Sequence, residues 1–362
     1  MEQPLPGIGK IAVLRANALG DYLFCLPALD ALRATYPAAE IVLLGAPWHH
    51  RFLTGRPGPV DRVLVVPPAP GIRDRLPDET DPPERDEFVA AAHAERFDLA
   101  LQMHGGGRNT NPLIAALGAR ITAGLRATDA PPLDRWIRYV YYQPEVFRYL
   151  EVVALVGATP VGYEPRLAPT VSDVDEASSV VGPPQGARVA LHPGATDARR
   201  RWPPERFAAV GDAAAADGAE IIVTGTPSEA SIVEDVCRAM RAPARAFVGT
   251  LSIGGLAAVY AGCTVVVSND TGPLHLAAAV GTPAVGLFWV GNLINGANVT
   301  RARYRAIPSW TVHCPECGAD CTRDLYPARS GGTGCRHRPS FITDIPVEEV
   351  VAETLELLQA AG

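Results

Sequence analysis

The chain has 362 residues, of which 48% are hydrophobic and 20% are charged, and its formal net charge is -7. This composition excludes collagen-like, coiled-coil and disordered chains, and at about 150 residues per domain it predicts two domains. The acidic balance disfavours a nucleic-acid partner. No apolar run reaches the roughly 18 residues of a membrane span, and the first residues do not resemble a signal peptide. We therefore expect a cytoplasmic protein without a transmembrane segment, for which peripheral membrane contact stays open.

Strand-like and helix-like segments alternate along the first part of the chain. Strand patterns lie at 10–15, 40–44, 62–66 and 98–103. Helical patterns lie at 21–35 and 144–156. Residues 67–85 are rich in Pro, Asp and Arg and have no hydrophobic period, which predicts a surface loop. The alternation predicts a parallel α/β sheet.

The composition shifts to Pro, Ser, Asp and Gly at about 166–187, and the α/β pattern then begins again. Strand patterns follow at 188–191, 220–224, 264–268 and 284–288. Helical patterns lie at 204–216, 253–261 and 273–280. This second series predicts another parallel sheet.

These patterns divide the chain into two α/β domains. We assign 1–165 to the first domain, 166–187 to a linker and 188–345 to the second domain, which includes a cysteine-rich segment at 310–339. Residues 346–362 have apolar positions at helical spacing and predict a terminal helix. Two such domains are expected to face each other across a cleft and to bind ligands at the carboxyl ends of their strands.

The strongest local motif, Asp270-Thr271-Gly272-Pro273-Leu274-His275, follows a strand pattern and begins an Ala-rich helix. Backbone N–H groups at a helix start suit a phosphate, and Thr271 and His275 add side-chain donors. The alternative is that Asp270 or Thr271 only caps the helix.

Two further strand ends carry polar loops. His192-Pro193-Gly194-Ala195-Thr196 precedes Arg199 to Arg201, whose guanidinium groups suit phosphates or form a solvated basic loop. Glu229 follows the strand pattern at 220–224 and could accept hydrogen bonds from a ribose diol or favour the start of a helix. Three such strand ends predict a nucleotide site in the second domain.

In the first domain, Asp21 lies at a strand-to-helix turn. Its carboxylate either caps the helix or deprotonates an acceptor hydroxyl. His49, His104 and Arg108 lie near strand ends and are candidate acceptor-binding residues. The acceptor stays open among a glycan, a lipid-linked molecule and a small metabolite.

Four of the seven cysteines form a compact group, Cys314, Cys317, Cys321 and Cys335. Their spacing suits a tetrahedral Zn²⁺ site. An iron–sulfur cluster is the chemically similar rival, and the four cysteines could also form two disulfides or remain free thiols. We expect the metal to be structural, because no paired carboxylate beside the group would position a reactive water.

Several motifs, taken in their order, resemble glycosyltransferase family 9, the heptosyltransferase-like enzymes. They are Arg15-x4-Gly20-Asp21, Leu26-Pro27-Ala28-Leu29, His192-Pro193-Gly194-Ala195, Arg201-Trp202-Pro203, and Asp270 to His275 with Ala277 to Ala279. The resemblance extends from about residue 10 to 288. It implies a GT-B fold with two Rossmann-like domains, an ADP-activated heptose as donor, and inverting transfer without a catalytic metal or other cofactor.

The same resemblance implies roles for individual residues. Asp21 is the implied catalytic base and Glu229 the implied ribose ligand. The implied diphosphate ligands are Thr196, Arg200, Asp270, Thr271, Gly272 and His275. Arg200 stands where relatives often carry lysine, so the register among Arg199 to Arg201 stays open. The rival functions are a nucleotide-sugar epimerase or hydrolase on the same fold and a catalytically silent nucleotide-binding protein.

Overall fold

The structure is a computed structural model that describes residues 3–75, 79, 84–322 and 335–360. The chain divides into two compact units, Met1–Arg166 and Leu167–Gly362. Two sequence predictions lie partly outside the described residues, namely 76–78 and 80–83 of the predicted surface loop and 323–334 of the cysteine-rich segment. No helix in the described part of the chain combines the length and the apolar character needed to cross a membrane.

The first unit contains a six-stranded sheet in which all neighbouring strands are parallel. Its strands are β1 (Lys10–Leu14), β2 (Glu40–Gly45), β3 (Arg62–Val65), β4 (Leu99–Gln102), β5 (Ile121–Arg126) and β6 (Arg135–Arg138). They lie in the order β3-β2-β1-β4-β5-β6. The central strands are buried along almost their whole length, as expected for a parallel sheet covered on both faces.

Six helices accompany this sheet. They are α1 (Leu19–Leu23), α2 (Leu26–Thr35), α3 (Pro47–Leu53), α4 (Arg85–Ala94), α5 (Thr110–Ala116) and α6 (Glu145–Ala154). The sequence predicted one helix at 21–35, whereas the structure has α1 and α2. Pro27 explains the division, since proline has no backbone N–H to continue a helix and is preferred in the first turn of a new one.

The second unit repeats the same topology. Its strands are β7 (Arg188–His192), β8 (Glu220–Gly225), β9 (Ala244–Val248), β10 (Val265–Asn269), β11 (Ala284–Trp289) and β12 (Tyr304–Ser309). Its helices are α7 (Val171–Val180), α8 (Pro204–Ala216), α9 (Ala230–Ala239), α10 (Ile253–Ala261), α11 (Gly272–Ala279), α12 (Val290–Gly296) and α13 (Val347–Gln359). The strand order is β12-β11-β10-β7-β8-β9, with every pairing parallel.

In both sheets the first strand of the unit pairs with the fourth. These pairs, β1 with β4 and β7 with β10, are the points at which the strand order reverses. Ligands of open parallel sheets bind outside the carboxyl ends of the strands at such a switch point. We therefore expect ligand-binding and catalytic residues in the loops that follow these four strands.

The range 166–187, which the sequence assigned to a linker, contains α7 and lies almost entirely in the second unit. Thr170 and Asp173 form a reciprocal capping box at its start, with N···O distances of 3.2 and 2.7 Å. Glu176 accepts hydrogen bonds from the backbone N–H and the hydroxyl of Ser252, just before α10. Because α7 is rich in Ser, Asp and Glu and has no long apolar run, its sequence was interpreted as a linker.

His49 lies in the interior of the first unit, on α3. Its Nδ1 accepts a hydrogen bond from the backbone N–H of Ala46 at 2.9 Å, and its ring stacks on Trp48 at 3.7 Å between centroids. Burial lowers the pKa of His49 to about 3. The imidazole is therefore neutral in the folded protein, and its structural role is to pack the core and to cap the start of α3.

This burial predicts a loss of stability in mild acid. The unfolded imidazole binds a proton below about pH 6.5, while the folded one stays neutral down to about pH 3. Protonation therefore favours the unfolded state increasingly as the pH falls through this window, by up to about 1.4 kcal/mol per pH unit. We expect His49→Asn, whose side-chain oxygen can accept the Ala46 N–H, to lose less stability than the wild type between pH 7 and 4.

Urea unfolding at several pH values measures this difference. The matched control is His50→Asn at the exposed neighbouring position, which should keep the wild-type pH dependence. Equal slopes for His49→Asn and the wild type would contradict the burial argument.

Candidate active site

The loops after β7 and β10 bring basic and polar side chains onto one buried carboxylate, Asp270. His275 Nε2 donates to Oδ1 at 3.1 Å, while Arg200 Nη1 lies 3.2 Å and Asn292 Nδ2 2.7 Å from Oδ2. Arg200 also donates to the backbone oxygen of Asp270 at 3.1 Å. The donors come from three separate segments of the chain, so Asp270 fixes them relative to one another.

The charge of Asp270 is stabilised by these contacts. Burial alone would raise its pKa, but the hydrogen bond from His275, the charge of Arg200 and the hydrogen bond from Asn292 lower the pKa to about 2. Asp270 is therefore ionised at neutral pH. An ionised carboxylate only accepts hydrogen bonds, so the donors around it are held with their N–H groups directed inward.

The three consecutive arginines have different partners, which the sequence could not assign. Arg199 pairs with Asp197 at 2.5 Å, Arg200 contacts Asp270, and Arg201 Nε donates to the carbonyl of Ala195 at 2.8 Å. Only the second of them is thus directed to the start of α11. Its side chain is 28% exposed, which leaves part of the guanidinium accessible to a ligand.

The remaining predicted ligands lie on the same loops. Thr196 is exposed on the loop after β7, and Thr271 is the N-cap residue of α11, with Gly272 as its first residue. Thr271 occupies the N-cap position, but its side chain makes no hydrogen bond to the start of the helix, so it does not act as the cap that the sequence offered as an alternative. The N-terminal end of a helix dipole favours a negative charge there.

Glu229 lies against the loop after β7. Its Oε2 accepts hydrogen bonds from the backbone N–H and the hydroxyl of Thr226 at 2.9 and 2.8 Å and lies 3.8 Å from His192 Nε2. A Cβ atom added at Gly194 would lie 2.2 Å from the Glu229 carboxyl, so this close approach requires glycine. Burial lowers the pKa of His192, whose Nδ1 lies 3.0 Å from the hydroxyl of Thr224.

Sequence reasoning missed two residues that organise this region. Asn292 contacts Asp270 from α12, and Asn269 joins the neighbouring loops by accepting from the Trp202 N–H at 3.2 Å and donating to the Pro193 carbonyl at 2.7 Å. Asn292 lies shortly after the end of β11, and Asn269 is the last residue of β10. A search for polar residues after every strand of the second unit would have found them.

In the first unit, Asp21 lies in α1, directly after β1. Arg15 Nη2 is 2.6 Å from Asp21 Oδ1, and the Ala18 N–H donates to Oδ2 at 3.2 Å. The carboxylate thus caps α1 and pairs with a buried arginine at the same time. The Asp21 side chain is 35% exposed, so a ligand can reach it.

Arg15 belongs to a buried charge network that the sequence did not reveal. It donates to the Met103 carbonyl at 2.8 Å and pairs with Glu145 at 3.2 Å. Glu145 in turn accepts hydrogen bonds from Arg148 and Tyr149 on α6. This network fixes the guanidinium that holds Asp21. Its key pair, Arg15 and Glu145, lies 130 positions apart in sequence, too far for spacing to have paired them.

The structure places the three predicted acceptor-side residues in different surroundings. His49 is buried and caps α3, so it does not present a side chain to a ligand, in contrast to its sequence assignment. His104 is also buried, and its Nδ1 accepts from the Ala16 N–H at 3.3 Å. Arg108 is exposed and lies 3.4 Å from Asp129.

The cysteine-rich segment forms a cluster that could hold a metal, but its members differ from the predicted set. The ligand atoms of Cys314, Cys317, Cys335 and His337 all lie within 4.8 Å of one another. Cys321 is not one of the four; its thiol donates to the carbonyl of Ala319 at 3.4 Å. The predicted four-cysteine set is thus corrected to three cysteines and one histidine.

Known proteins provide an independent comparison. The family model described as glycosyltransferase family 9 (heptosyltransferase) matches residues 87–299. Lipooligosaccharide heptosyltransferase 2 of Haemophilus influenzae is 28% identical over 93 residues, which are 25% of this chain and 27% of that protein. The chain therefore matches about a quarter of this relative's length.

Solved structures agree in fold. A family 9 glycosyltransferase from Veillonella parvula has a TM-score of 0.75 at 20% identity, covering 99% of both chains. The E. coli ADP-heptose LPS heptosyltransferase II has a TM-score of 0.72 at 17% identity, covering 98% of this chain and 99% of that one. These likenesses confirm the GT-B-like fold of two parallel α/β sheets. Since the family model spans more than half of the sequence, the chain belongs to glycosyltransferase family 9, the heptosyltransferase family.

Proposed function

We propose that this protein is an inverting glycosyltransferase that moves a heptose-like sugar from an ADP-sugar to an acceptor hydroxyl. Family membership supports the reaction class, and the E. coli relative named above acts with ADP-heptose by its name. The observation that carries the proposal is the convergence of Arg200, His275 and Asn292 on Asp270 at the start of α11.

The donors around Asp270 suit a departing diphosphate. As the bond from the anomeric carbon to the diphosphate oxygen breaks, negative charge grows on the leaving group. The helix start at Thr271 and Gly272 and the cation Arg200 would stabilise that charge. A guanidinium has five N–H groups, so Arg200 can keep its contacts with Asp270 and still bind a phosphate oxygen. The chemistry assigned to these residues needs no catalytic metal.

Asp270 is a positioning residue in this proposal. It is buried and engaged by three donors, and its negative charge would repel a diphosphate at short range. Its contribution is to hold His275, Arg200 and Asn292 in a fixed arrangement before the donor binds. Donors that are already oriented need little rearrangement as charge develops, which is the main advantage of an enzyme site over water.

Glu229 is the proposed ribose ligand. Thr226 engages Oε2, so we assign Oε1 to a ribose hydroxyl. A buried carboxylate that can accept a further hydrogen bond is well suited to a diol. Thr196, exposed on the loop after β7, is the remaining proposed contact to the diphosphate.

Asp21 is the proposed general base. It takes the proton of the acceptor hydroxyl while the acceptor oxygen attacks the anomeric carbon from the face opposite the diphosphate, and ADP leaves. One displacement of this kind inverts the anomeric configuration. Arg15 holds Oδ1 in place, and the exposure of the side chain admits the acceptor.

The acceptor is proposed to be a glycan, a lipid-linked molecule or a small metabolite. Arg108 is the most accessible of the predicted acceptor-side residues, because its side chain is 71% exposed. His104 lies at the end of β4, next to the strand that leads to Asp21. We retain these two residues as acceptor-side candidates and assign His49 to the core.

Asp21→Asn tests the base directly. The amide keeps the size of the side chain but cannot take up the proton, so we expect turnover to fall by about 10² to 10⁴ with ADP affinity nearly unchanged. Single-turnover assays with saturating donor and acceptor measure the loss. Asp86→Asn, an exposed carboxylate on α4, is the matched control and should be fully active. Turnover above a tenth of the wild type would refute the assignment.

Arg200→Ala and His275→Ala test the donor site. We expect Arg200→Ala to weaken ADP binding by about tenfold or more, the effect of losing a charge-assisted hydrogen bond. We expect His275→Ala to weaken it indirectly, because Asp270 loses a partner and no longer fixes Arg200 as well. Both variants should also slow the chemical step. Calorimetric titration with ADP and pre-steady-state kinetics separate the two effects. Arg241→Ala removes an arginine whose side chain is 90% exposed and should change neither. If both site variants bound ADP as the wild type does, the site would be wrongly placed.

A further inference from the structure

The cluster of Cys314, Cys317, Cys335 and His337 has the dimensions of a tetrahedral metal site. Cys317 Sγ lies 3.6 Å from Cys335 Sγ, and His337 Nδ1 lies 3.8 Å from the Sγ atoms of both Cys314 and Cys335. A tetrahedron built with Zn–S bonds of about 2.3 Å and a Zn–N bond of about 2.0 Å has edges of about 3.5–3.8 Å. The ligand atoms are therefore spaced to bind one ion of that size.

The same distances disfavour the other interpretations of this segment. A disulfide requires sulfur atoms about 2.05 Å apart, and all seven cysteines are free thiols. Iron–sulfur clusters most often take four thiolates. A fourth thiol, Cys321, is present nearby, yet an imidazole completes the set instead. Three thiolates and one imidazole are a standard donor set for structural zinc.

The turn between the first two ligands is closed by backbone hydrogen bonds. Gly318, with a φ of +72°, allows the chain to reverse so that its N–H donates to the Cys314 carbonyl at 2.8 Å. The Cys314 N–H donates to the Ala319 carbonyl at 2.8 Å, so the turn holds Cys314 and Cys317 near each other.

Glu316 occupies the position of an outer carboxylate. Its Oε2 lies 3.5 Å from His337 Nε2, while Nδ1 of the same ring faces the cysteines. Metal-binding histidines usually direct their second ring nitrogen to a carboxylate or carbonyl, which fixes the tautomer and the orientation of the ring. Glu316 would therefore keep the proton on Nε2 and leave Nδ1 to bind the ion.

The segment that carries the last two ligands also contacts the donor loop, which we define as residues 197–200. The Phe341 N–H donates to the Arg199 carbonyl at 2.8 Å, and Arg338 lies 3.6 Å from Asp197. The Arg199 guanidinium lies 5.9 Å from the centre of the Phe341 ring. Arg338 and Phe341 thus contact the loop that carries Arg200 and hold it in place.

We propose that Cys314, Cys317, Cys335 and His337 bind one zinc ion, oriented by Glu316, and that this zinc holds the donor loop in its binding conformation. The ion is structural: it joins the turn at Cys314 and Cys317 to Cys335 and His337, and the residues that follow support the donor loop through Arg338 and Phe341. The consequence for ADP binding rests on the function proposed above, whereas the zinc site itself does not.

Metal analysis tests the site without reference to activity. Protein purified anaerobically without added metal should contain about one zinc per chain, and its zinc X-ray absorption should fit three sulfur ligands and one nitrogen ligand. Cys317→Ser should lose the zinc, while Cys321→Ser, the matched control, should keep it. Glu316→Gln should weaken zinc binding by about 10- to 100-fold in competition with a chelator. Iron, four sulfur ligands, an absence of metal, or zinc loss in Cys321→Ser would each overturn the proposal.

Hydrogen exchange on the full-length protein tests the link to the donor loop. Removal of zinc from the wild type by a chelator should speed amide exchange in peptides that cover 197–200 and leave α10 unchanged. ADP affinity, measured in parallel, should fall by about tenfold. Unchanged exchange at 197–200 after complete zinc removal would overturn the supporting role. If the zinc-loaded protein bound no ADP at all, the proposed function would fail, while the metal and exchange results would still decide this inference.

Discussion

Asp270 is a buried carboxylate, and the arrangement of the side chains around the start of α11 depends on which groups pair with its negative charge. An unpaired ion in a protein interior costs several kcal/mol, so the chain must supply partners. It does so with Arg200 from the loop after β7, His275 from α11 and Asn292 from α12. Pairing with this one carboxylate therefore holds Arg200, His275 and Asn292 together at the start of α11, where we propose that the diphosphate binds.

The two units have the same topology but present groups of opposite charge. Each sheet reverses its strand order between its first and fourth strands, and the candidate site residues lie in the loops that follow these strands. The first unit presents a carboxylate, Asp21, held by the buried Arg15. The second presents cationic and N–H donors held by the buried Asp270. A base for the acceptor and a donor set for the leaving group are the two requirements of a displacement at an anomeric carbon.

Sequence patterns predicted several elements that have clear apolar signals and missed others, among them the buried strand β5 and the helix α9. Helices α8 and α10 begin and end where the sequence predicted, because each has a clear apolar pattern and a Pro or Ser at its start. The edge strands β6 and β9 are partly exposed and contain arginines, so they lack the apolar run that marks a buried strand. The interpretation of 166–187 as a linker missed α7 for the same reason.

Sequence patterns pointed to neighbouring residues where these follow strand ends, and gave no signal for contacts between residues distant in sequence. Asp270, His275 and Arg200 could be found because strand ends of a parallel sheet share one edge, and the structure does bring them together. The pairing of Glu145 with Arg15 links residues 130 positions apart and has no local signal. Cysteine spacing located a cluster that could hold a metal, but the presence of His337 in it instead of Cys321 depends on how the chain folds back.

A calorimetric comparison of ADP with AMP shows whether the groups around Asp270 bind the diphosphate of a nucleotide sugar, as we propose. We expect ADP to bind at least about tenfold more tightly than AMP, because only the second phosphate reaches the full set of hydrogen-bond donors at the start of α11. Equal affinities for ADP and AMP, or no binding of either, would contradict it.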